Sequence, residues 1–456
     1  MKEFMKNHGE DIIIFTVGFL ALLLIGTPGY DVQGDAMQYI EMGGYLPPLY
    51  PVFLWILRSM FGEASYLTVT VFVQCMLGAF SMTCILHFIS RKYRCAKWIL
   101  GVMLVMLFAP YVRESMREVP RYMYSHLILT EAISIPLFYL YVWSGMHAIE
   151  NKRIIDFFGM NFWAFLLVLS RAQFLVCIIL NCVVLVYLVW NQKNRKMIFF
   201  MEGMALIIIA YLSTGMCEDA YKQARLGTTK SAWNSAYFLL HALYASDAED
   251  VAIYEEPDYQ ELYARLYKQL DEIEYNYKYL SGTVYDKSNH WSVGFSKIYR
   301  DLKDTVSVYV EEQGITDRLE QDEMISQYVS GLMKPLFVKN GISSFLYSLY
   351  QFPISMCSNV FVVKANHMWF SYIGTILIYI VTACVGIWRF RQKHDSFAVW
   401  FMVFMLCFMI GNSLVVGYVL HTQARYLLYS MGTFYVSLVL LAVELWREKT
   451  VGGSHS

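Results

Sequence analysis

The chain has 456 residues, of which 57% are hydrophobic, 17% aromatic and 16% charged. A soluble domain usually carries about 25% charged residues, so this chain cannot clothe an ordinary solvated surface. Its formal net charge of −1 excludes a nucleic-acid binder on electrostatic grounds. That total hides an uneven split. Residues 217–340 hold 21 acidic and 13 basic side chains, net −8, and the remainder sums to +7. The split predicts one detached polar region and a basic remainder facing another compartment.

From the N-terminus, an apolar run begins at Ile12, and no small-residue cleavage site precedes Thr27-Pro28-Gly29. It reads as an uncleaved first span. Apolar segments of bilayer length follow, giving ten in all at roughly 11–27, 65–89, 97–112, 127–145, 154–170, 172–190, 197–214, 367–388, 396–417 and 426–446. One alternating set of loops is basic: Arg91, Lys92, Arg94 and Lys97; Lys152 and Arg153; Lys193, Arg195 and Lys196; Arg389, Arg391 and Lys393; Arg447 and Lys449. The positive-inside rule makes that set cytoplasmic. Both termini are then cytoplasmic, and 28–64, 113–126, the turn at 171, 215–366 and 418–425 lie outside. The expected fold is an all-α polytopic membrane protein of about ten transmembrane helices in the plasma membrane. Its parts are an N-terminal module 1–214 with a first outer loop 28–64, a mainly helical extracytoplasmic region 215–366, and C-terminal helices 367–456.

Two outer segments are too short to span. Residues 51–61 end at Gly62 and read as a helix lying on the outer leaflet, and Ser344–Ser355 reads the same way. The polar stretch 217–340 contains 14 of the 35 tyrosines. Tyrosine can stack on sugars, but at helical spacing it more often packs a core. The nine cysteines show no C-x-x-C pair and no ligand spacing, so neither a zinc nor a redox site is indicated. Cys217 and Cys357 flank the polar region and leave a disulfide there open.

Ionisable groups at or inside membrane spans are costly and mark function by default. Here the unusual ones gather on the outer side. The first outer loop carries Asp31, Asp35 and Tyr39, which would stack on one helical face if 31–41 is a helix. So arranged, the carboxylates could bind a metal, or one could act as a base. The plainer alternative is an N-cap at Asp31 and a solvated carboxylate at Asp35. Glu131 stands near the outer end of the fourth span, where a carboxylate needs a partner or a wet cavity. Arg113, Arg117 and Arg121 crowd one short outer loop, as lipid-headgroup contacts or as ligands. Arg171 interrupts the fifth and sixth apolar runs at an outer turn, where a snorkelling role is the alternative. His421 and Arg425 share a face before Tyr426 in the last outer loop, and arginine is the natural fork for a phosphate.

Asp35-x-x-x-Tyr39 with Pro47-Pro48-Leu49-Tyr50-Pro51, Leu129-Thr130-Glu131, Ser170-Arg171-Ala172 and Arg425-Tyr426 occur in this order at these topological places. In them the chain resembles the GT-C superfamily of integral-membrane glycosyltransferases. The similarity is to polyprenyl- and dolichyl-phosphate-sugar-dependent protein mannosyltransferases and aminoarabinose transferases, and it covers roughly 11–214 and 367–446. Asp35 lacks a second adjacent acid, and Arg171 is followed by Ala where Pro is often found.

The resemblance implies transfer of a sugar from a polyprenyl-phosphate carrier to a glycolipid, polysaccharide or protein acceptor on the extracytoplasmic face, by one inverting displacement. It points to Asp35 as the catalytic acid/base. Glu131 would orient the acceptor, hold Arg117 or Arg121, or share a divalent ion such as Mg2+ or Mn2+ with Asp35. Arg425, Arg171 and Arg117 are the candidates for the donor phosphate. Asp31, Tyr39, His421 and Tyr426 are candidates for acceptor or sugar contacts. Rival readings are a transporter or flippase of lipid-linked saccharides, which expects midplane charges and inverted repeats, and a polysaccharide polymerase or ligase.

Overall fold

A computed structural model describes residues 2–25, 29–32, 34–112, 123–192, 194–229, 233, 235–360, 368–419 and 422–452. The helices in chain order are α1 (Lys2–Leu24), α2 (Ala36–Ile40), α3 (Leu49–Phe61), α4 (Tyr66–Tyr93), α5 (Lys97–Val112), α6 (Glu131–Asn151), α7 (Ile154–Ser170), α8 (Leu175–Asn191) and α9 (Lys196–Leu226). After them come α10 (Ala236–Tyr244), α11 (Pro257–Glu272), α12 (Val284–Glu312), α13 (Arg318–Ser348), α14 (Gln351–Ser358), α15 (Met368–Gln392), α16 (Phe397–Val419), α17 (Ala424–Leu427) and α18 (Met431–Gly452). Among the described residues there is no strand, only one isolated bridge between Asp31 and Leu127.

A helix occupies each of the ten apolar segments read from the sequence. Among the described residues, six are long and apolar enough to cross a membrane: Tyr66–Tyr93, Glu131–Asn151, Ala172–Asn191, Lys196–Leu226, Phe370–Gln392 and Phe397–Tyr418. The apolar helices α5 and α7 are shorter. The chain is therefore a helical, polytopic membrane protein.

It divides into two units. The first comprises Met1–Tyr221, Tyr372–Asn412 and Leu427–Ser456. At its centre lies α6, buried along almost its whole length and packed against α4 and α7. Outside it, α1 packs on α4, and α5 on α18. Gly432 permits that last approach, because a Cβ there would lie 2.9 Å from the Met106 carbonyl oxygen. The outward faces carry Val105, Ile179 and Trp190 exposed, the pattern of a bundle whose solvent is lipid. Near the loop joining α15 to α16, Arg389 is almost fully buried. It donates from Nε and Nη2 to Glu444 Oε1 at 3.1 and 2.7 Å, and Tyr93 donates to Glu444 Oε2 at 3.1 Å. A residue read as a loop charge is thus an internal clamp between α15, α18 and α4.

The second unit comprises Lys222–Ser371 and Ser413–Tyr426. Its core is built at helical spacing from Leu262, Leu266 and Leu270 of α11, Phe295, Leu302 and Val306 of α12, and Val329, Leu332 and Leu336 of α13. Tyr254, Tyr263, Tyr275, Tyr309 and Tyr328 belong to that core. Capping fixes the helix starts. Thr283 and Asp286 form a reciprocal capping box on α12, and Asp317 accepts from the Leu319 and Glu320 amides at 3.0 Å each on α13.

Three local expectations need correction. Residues 31–41 are not one helix: Asp31 is in an extended bridge and α2 starts only at Ala36. Ser344–Ser355 is not one interfacial helix, since α13 runs through Ser348 and α14 begins at Gln351. All nine cysteines are free, so Cys217 and Cys357 form no disulfide.

Candidate functional site

The hairpin of α6 and α7 decides where the charges meet. These helices run antiparallel, so the first residue of α6 and the residue after α7 come to the same end of the bundle. At that end Arg171 Nη1 lies 2.5 Å from Glu131 Oε1, with side chains 15% and 2% exposed. Each sits where its helix favours it: an acid at an N-terminus and a cation at a C-terminus complement the backbone dipoles. Arg171 takes an extended conformation (φ −160°, ψ 127°) as α7 ends, which turns the guanidinium back toward α6. The same Nη1 donates to Thr130 Oγ1 at 3.3 Å and to the Tyr429 hydroxyl at 3.2 Å. Thr130 in turn donates to Glu131 Oε2 at 3.2 Å. These charge-assisted hydrogen bonds fix the carboxylate in place.

The first loop is stitched onto this pair by its backbone. The Asp31 amide donates to the His126 carbonyl and the Ile128 amide to the Asp31 carbonyl, both at 3.0 Å. A second tether comes from α3 and α4: Tyr50 donates to Gln74 Oε1 at 2.8 Å, and Gln74 Nε2 donates to the Ser125 carbonyl at 2.9 Å. The segment leading into Glu131 is thus the hub on which loop, α3 and α4 converge.

Tyr39 follows from this anchoring. Its ring meets Tyr50 edge to face at 5.4 Å between centroids. Burial pushes the Tyr39 hydroxyl above its ordinary value; Arg171 and a Thr130 hydrogen bond oppose this, while Glu131 and Asp35 add to it. It stays a protonated donor beside the pair. Asp35 is half-buried, stands at the N-cap of α2 without a side-chain capping bond, and lies close enough to bear on Tyr39. The structure therefore gathers Asp35, Tyr39, Glu131 and Arg171 in one neighbourhood, with Asp31 tied to the segment beneath them.

The remaining candidates are described by themselves. Arg425 and Tyr426 belong to the second unit. There Arg425 donates from Nε to Gln423 Oε1 and from Nη2 to the Tyr426 hydroxyl, both at 2.9 Å, with its guanidinium 5.0 Å from the Tyr426 ring centre. Arg113, Arg117, Arg121 and His421 lie outside the described residues.

A divalent ion shared by Asp35 and Glu131 does not fit this arrangement. The Arg171 guanidinium already supplies the positive charge on Glu131, and a second cation there would be repelled. Among the described residues no three His, Cys, Asp or Glu side chains are grouped to hold a metal ion.

Sequence reasoning missed Thr130, Gln74 and Tyr429. Gln74 could have been found by extending the search for polar residues inside apolar runs from charged to neutral ones. Tyr429 carries no such signal, because a tyrosine near a span end is ordinary. Comparison with known proteins gives no match: no family model, no curated protein and no solved structure matches this chain.

Proposed function

We propose that the chain is a glycosyltransferase of GT-C type, using a polyprenyl-phosphate-linked sugar. The observation that carries the reading is the buried Glu131–Arg171 pair with Asp35 and Tyr39 beside it. In this reading all ten apolar helices span the plasma membrane. The basic loops and both termini are cytoplasmic, and the first loop faces outward.

The chemistry suits these residues. An acceptor hydroxyl attacks the anomeric carbon, forming a C–O bond as the bond to the phosphate oxygen breaks. The electron pair leaves with the polyprenyl phosphate, and the hydroxyl proton passes to Asp35, general-base help worth about 10²–10⁴-fold. A departing phosphate needs positive charge more than a proton. Arg171 brings that charge, and Glu131 acts through it as a positioning residue. Tyr39, kept protonated, is a donor for a sugar or phosphate oxygen. Arg425 is a separate phosphate candidate in the other unit. A single displacement inverts the anomeric centre.

The purified chain in proteoliposomes, given polyprenyl-phosphate sugars and a membrane-lipid acceptor fraction, tests this. The expected result is sugar transfer with one free polyprenyl phosphate released per sugar and inversion at the anomeric carbon. Movement of the intact lipid-linked sugar across the bilayer with no phosphate released would overturn it in favour of transport.

A further inference from the structure

One surface of the second unit breaks the rule that governs the rest of it. Along the C-terminal half of α13, Val338 and Ile342 are 87% and 80% exposed, and Phe345, Leu346 and Leu349 are exposed as well. Spaced at four, seven, eight and eleven residues from Val338, these side chains form one apolar stripe. Opposite them, Leu332, Leu336, Asn340 and Ser344 are buried. The changeover falls at Pro335. Before it α13 behaves as a helix of a water-soluble core; after it the exposed side chains are largely apolar, with Lys339 turned aside to pair with Asp250. Isolated exposed apolar residues need no explanation, but a contiguous row does.

Its surroundings identify what covers it. Phe345 meets Tyr418 edge to face, 5.3 Å between ring centres. Together with Phe337, Val338, Gly341 and Ile342 they line an open groove. Tyr418 ends the stretch of α16 that is long and apolar enough to cross a membrane. The chain beyond the stripe stays at that level. Thr422 donates to Gln351 Oε1 at 2.7 Å, and Asn359 donates to Ser413 Oγ at 2.7 Å. Ser413 lies five residues inside the end of that apolar helix, which is roughly 7–8 Å of helix length. So the segment following the stripe runs beside the last turns of α16. One turn before Val338 stands Lys334, exposed, a residue type whose ammonium suits lipid phosphates.

We infer that the C-terminal half of α13 is a membrane-inserted element: its stripe from Val338 to Leu349 lies in the acyl region of the leaflet reached by the C-terminal end of α16. The second unit is then anchored to the bilayer by its own surface as well as by the chain that joins it to the bundle. This depends only on the protein being a membrane protein, and not on the proposed chemistry.

Spin labels at Val338→Cys and Ile342→Cys, in full-length protein with Cys182, Cys217 and Cys384 replaced by serine and reconstituted in phosphatidylcholine–phosphatidylglycerol vesicles, test the proposal. Both positions are exposed, so the substitutions leave the core intact, and Glu312→Cys on α12 is the aqueous reference. Power saturation should show dissolved oxygen colliding severalfold more often than a water-soluble nickel chelate at 338 and 342, with the order reversed at 312. Nickel access at 338 and 342 equal to that at 312 would place the stripe in water and overturn the proposal. Protection from both reagents would overturn it too, by showing a protein partner such as a second copy.

Discussion

The two units solve burial in opposite ways. In the membrane unit the apolar side chains Val105, Ile179 and Trp190 face outward, and polar groups are spent inside. Tyr141 donates to Asn181 Oδ1 at 2.9 Å, and Asn181 donates to Asn161 Oδ1 at 2.9 Å. The second unit reverses this, with leucines, valines and tyrosines inside and most of its acids outside. Lipid removes any gain from burying an aliphatic side chain, so association rests on close packing and interior polar pairs. Water restores that gain. The difference teaches where to look for function: a neutral polar pair in the first unit is ordinary glue, whereas a buried ion pair is costly and needs a reason, as a clamp at Arg389–Glu444 or as a candidate site at Glu131–Arg171.

That distinction can be broken most severely at Glu131. Glu131→Ala would leave Arg171 in an apolar bundle without its counter-charge, and should destabilise by roughly 3–5 kcal/mol. Thermal unfolding in detergent reads this, and Glu131→Ala with Arg171→Ala should recover part of the loss as a coupling energy. Purely additive effects of the two changes would mean that the pair does not hold this end of the bundle.

Next in size is the contrast between the units themselves. Leu266→Ala, in the fully buried core of the second unit, should cost about 2–5 kcal/mol. Ile179→Ala, facing outward from α8, should change stability by less than about 0.5 kcal/mol. Equal costs would erase the proposed difference in solvent. Smaller is Tyr50→Phe, which strands the buried Gln74 carbonyl oxygen and should cost about 1–3 kcal/mol. It should also raise hydrogen exchange in the 123–130 segment, and unchanged exchange there would remove the tether.

The smallest effect expected is a pH dependence confined to the second unit. Burial pushes the Asp250 carboxyl up, but hydrogen bonds from Lys339, the Asp247 amide and Asn340 outweigh it and hold it below the ordinary carboxylate range. A carboxyl lowered on folding stabilises fully above its unfolded value, and that contribution is lost as pH falls through the folded one. Acidification below the ordinary Asp range should therefore loosen the contact of the 248–253 turn with α13, seen as faster local exchange. Asp250→Asn should remove that dependence, and its persistence in the variant would assign it elsewhere.

Much of the helical layout was legible, because an apolar run of bilayer length has few alternatives to a helix in lipid. Asp35, Tyr39, Glu131 and Arg171 were legible as polar or charged groups in expensive places. Less visible was how they meet. The sequence left Glu131 to orient the acceptor, hold Arg117 or Arg121, or share a metal ion, and did not foresee its pairing with Arg171, a consequence of two antiparallel helices ending together. Asp31 departs from helix because its backbone bonds to residues 126 and 128, a non-local pairing that no local spacing encodes. Arg389 reads as one more basic loop residue until Glu444, more than 50 positions later, is found against it. The second unit also takes in Ser413–Tyr426, which polarity alone could not assign, because its first half belongs to an apolar helix.

The most direct test of the central claim is sugar transfer from a polyprenyl-phosphate donor by Asp35→Asn beside the parent protein. Asp35→Asn keeps the shape of the side chain and removes its charge, so the variant should still fold while its turnover falls by about 10²–10⁴-fold. Parent-level transfer by a folded Asp35→Asn would contradict the account and remove Asp35 from the chemistry.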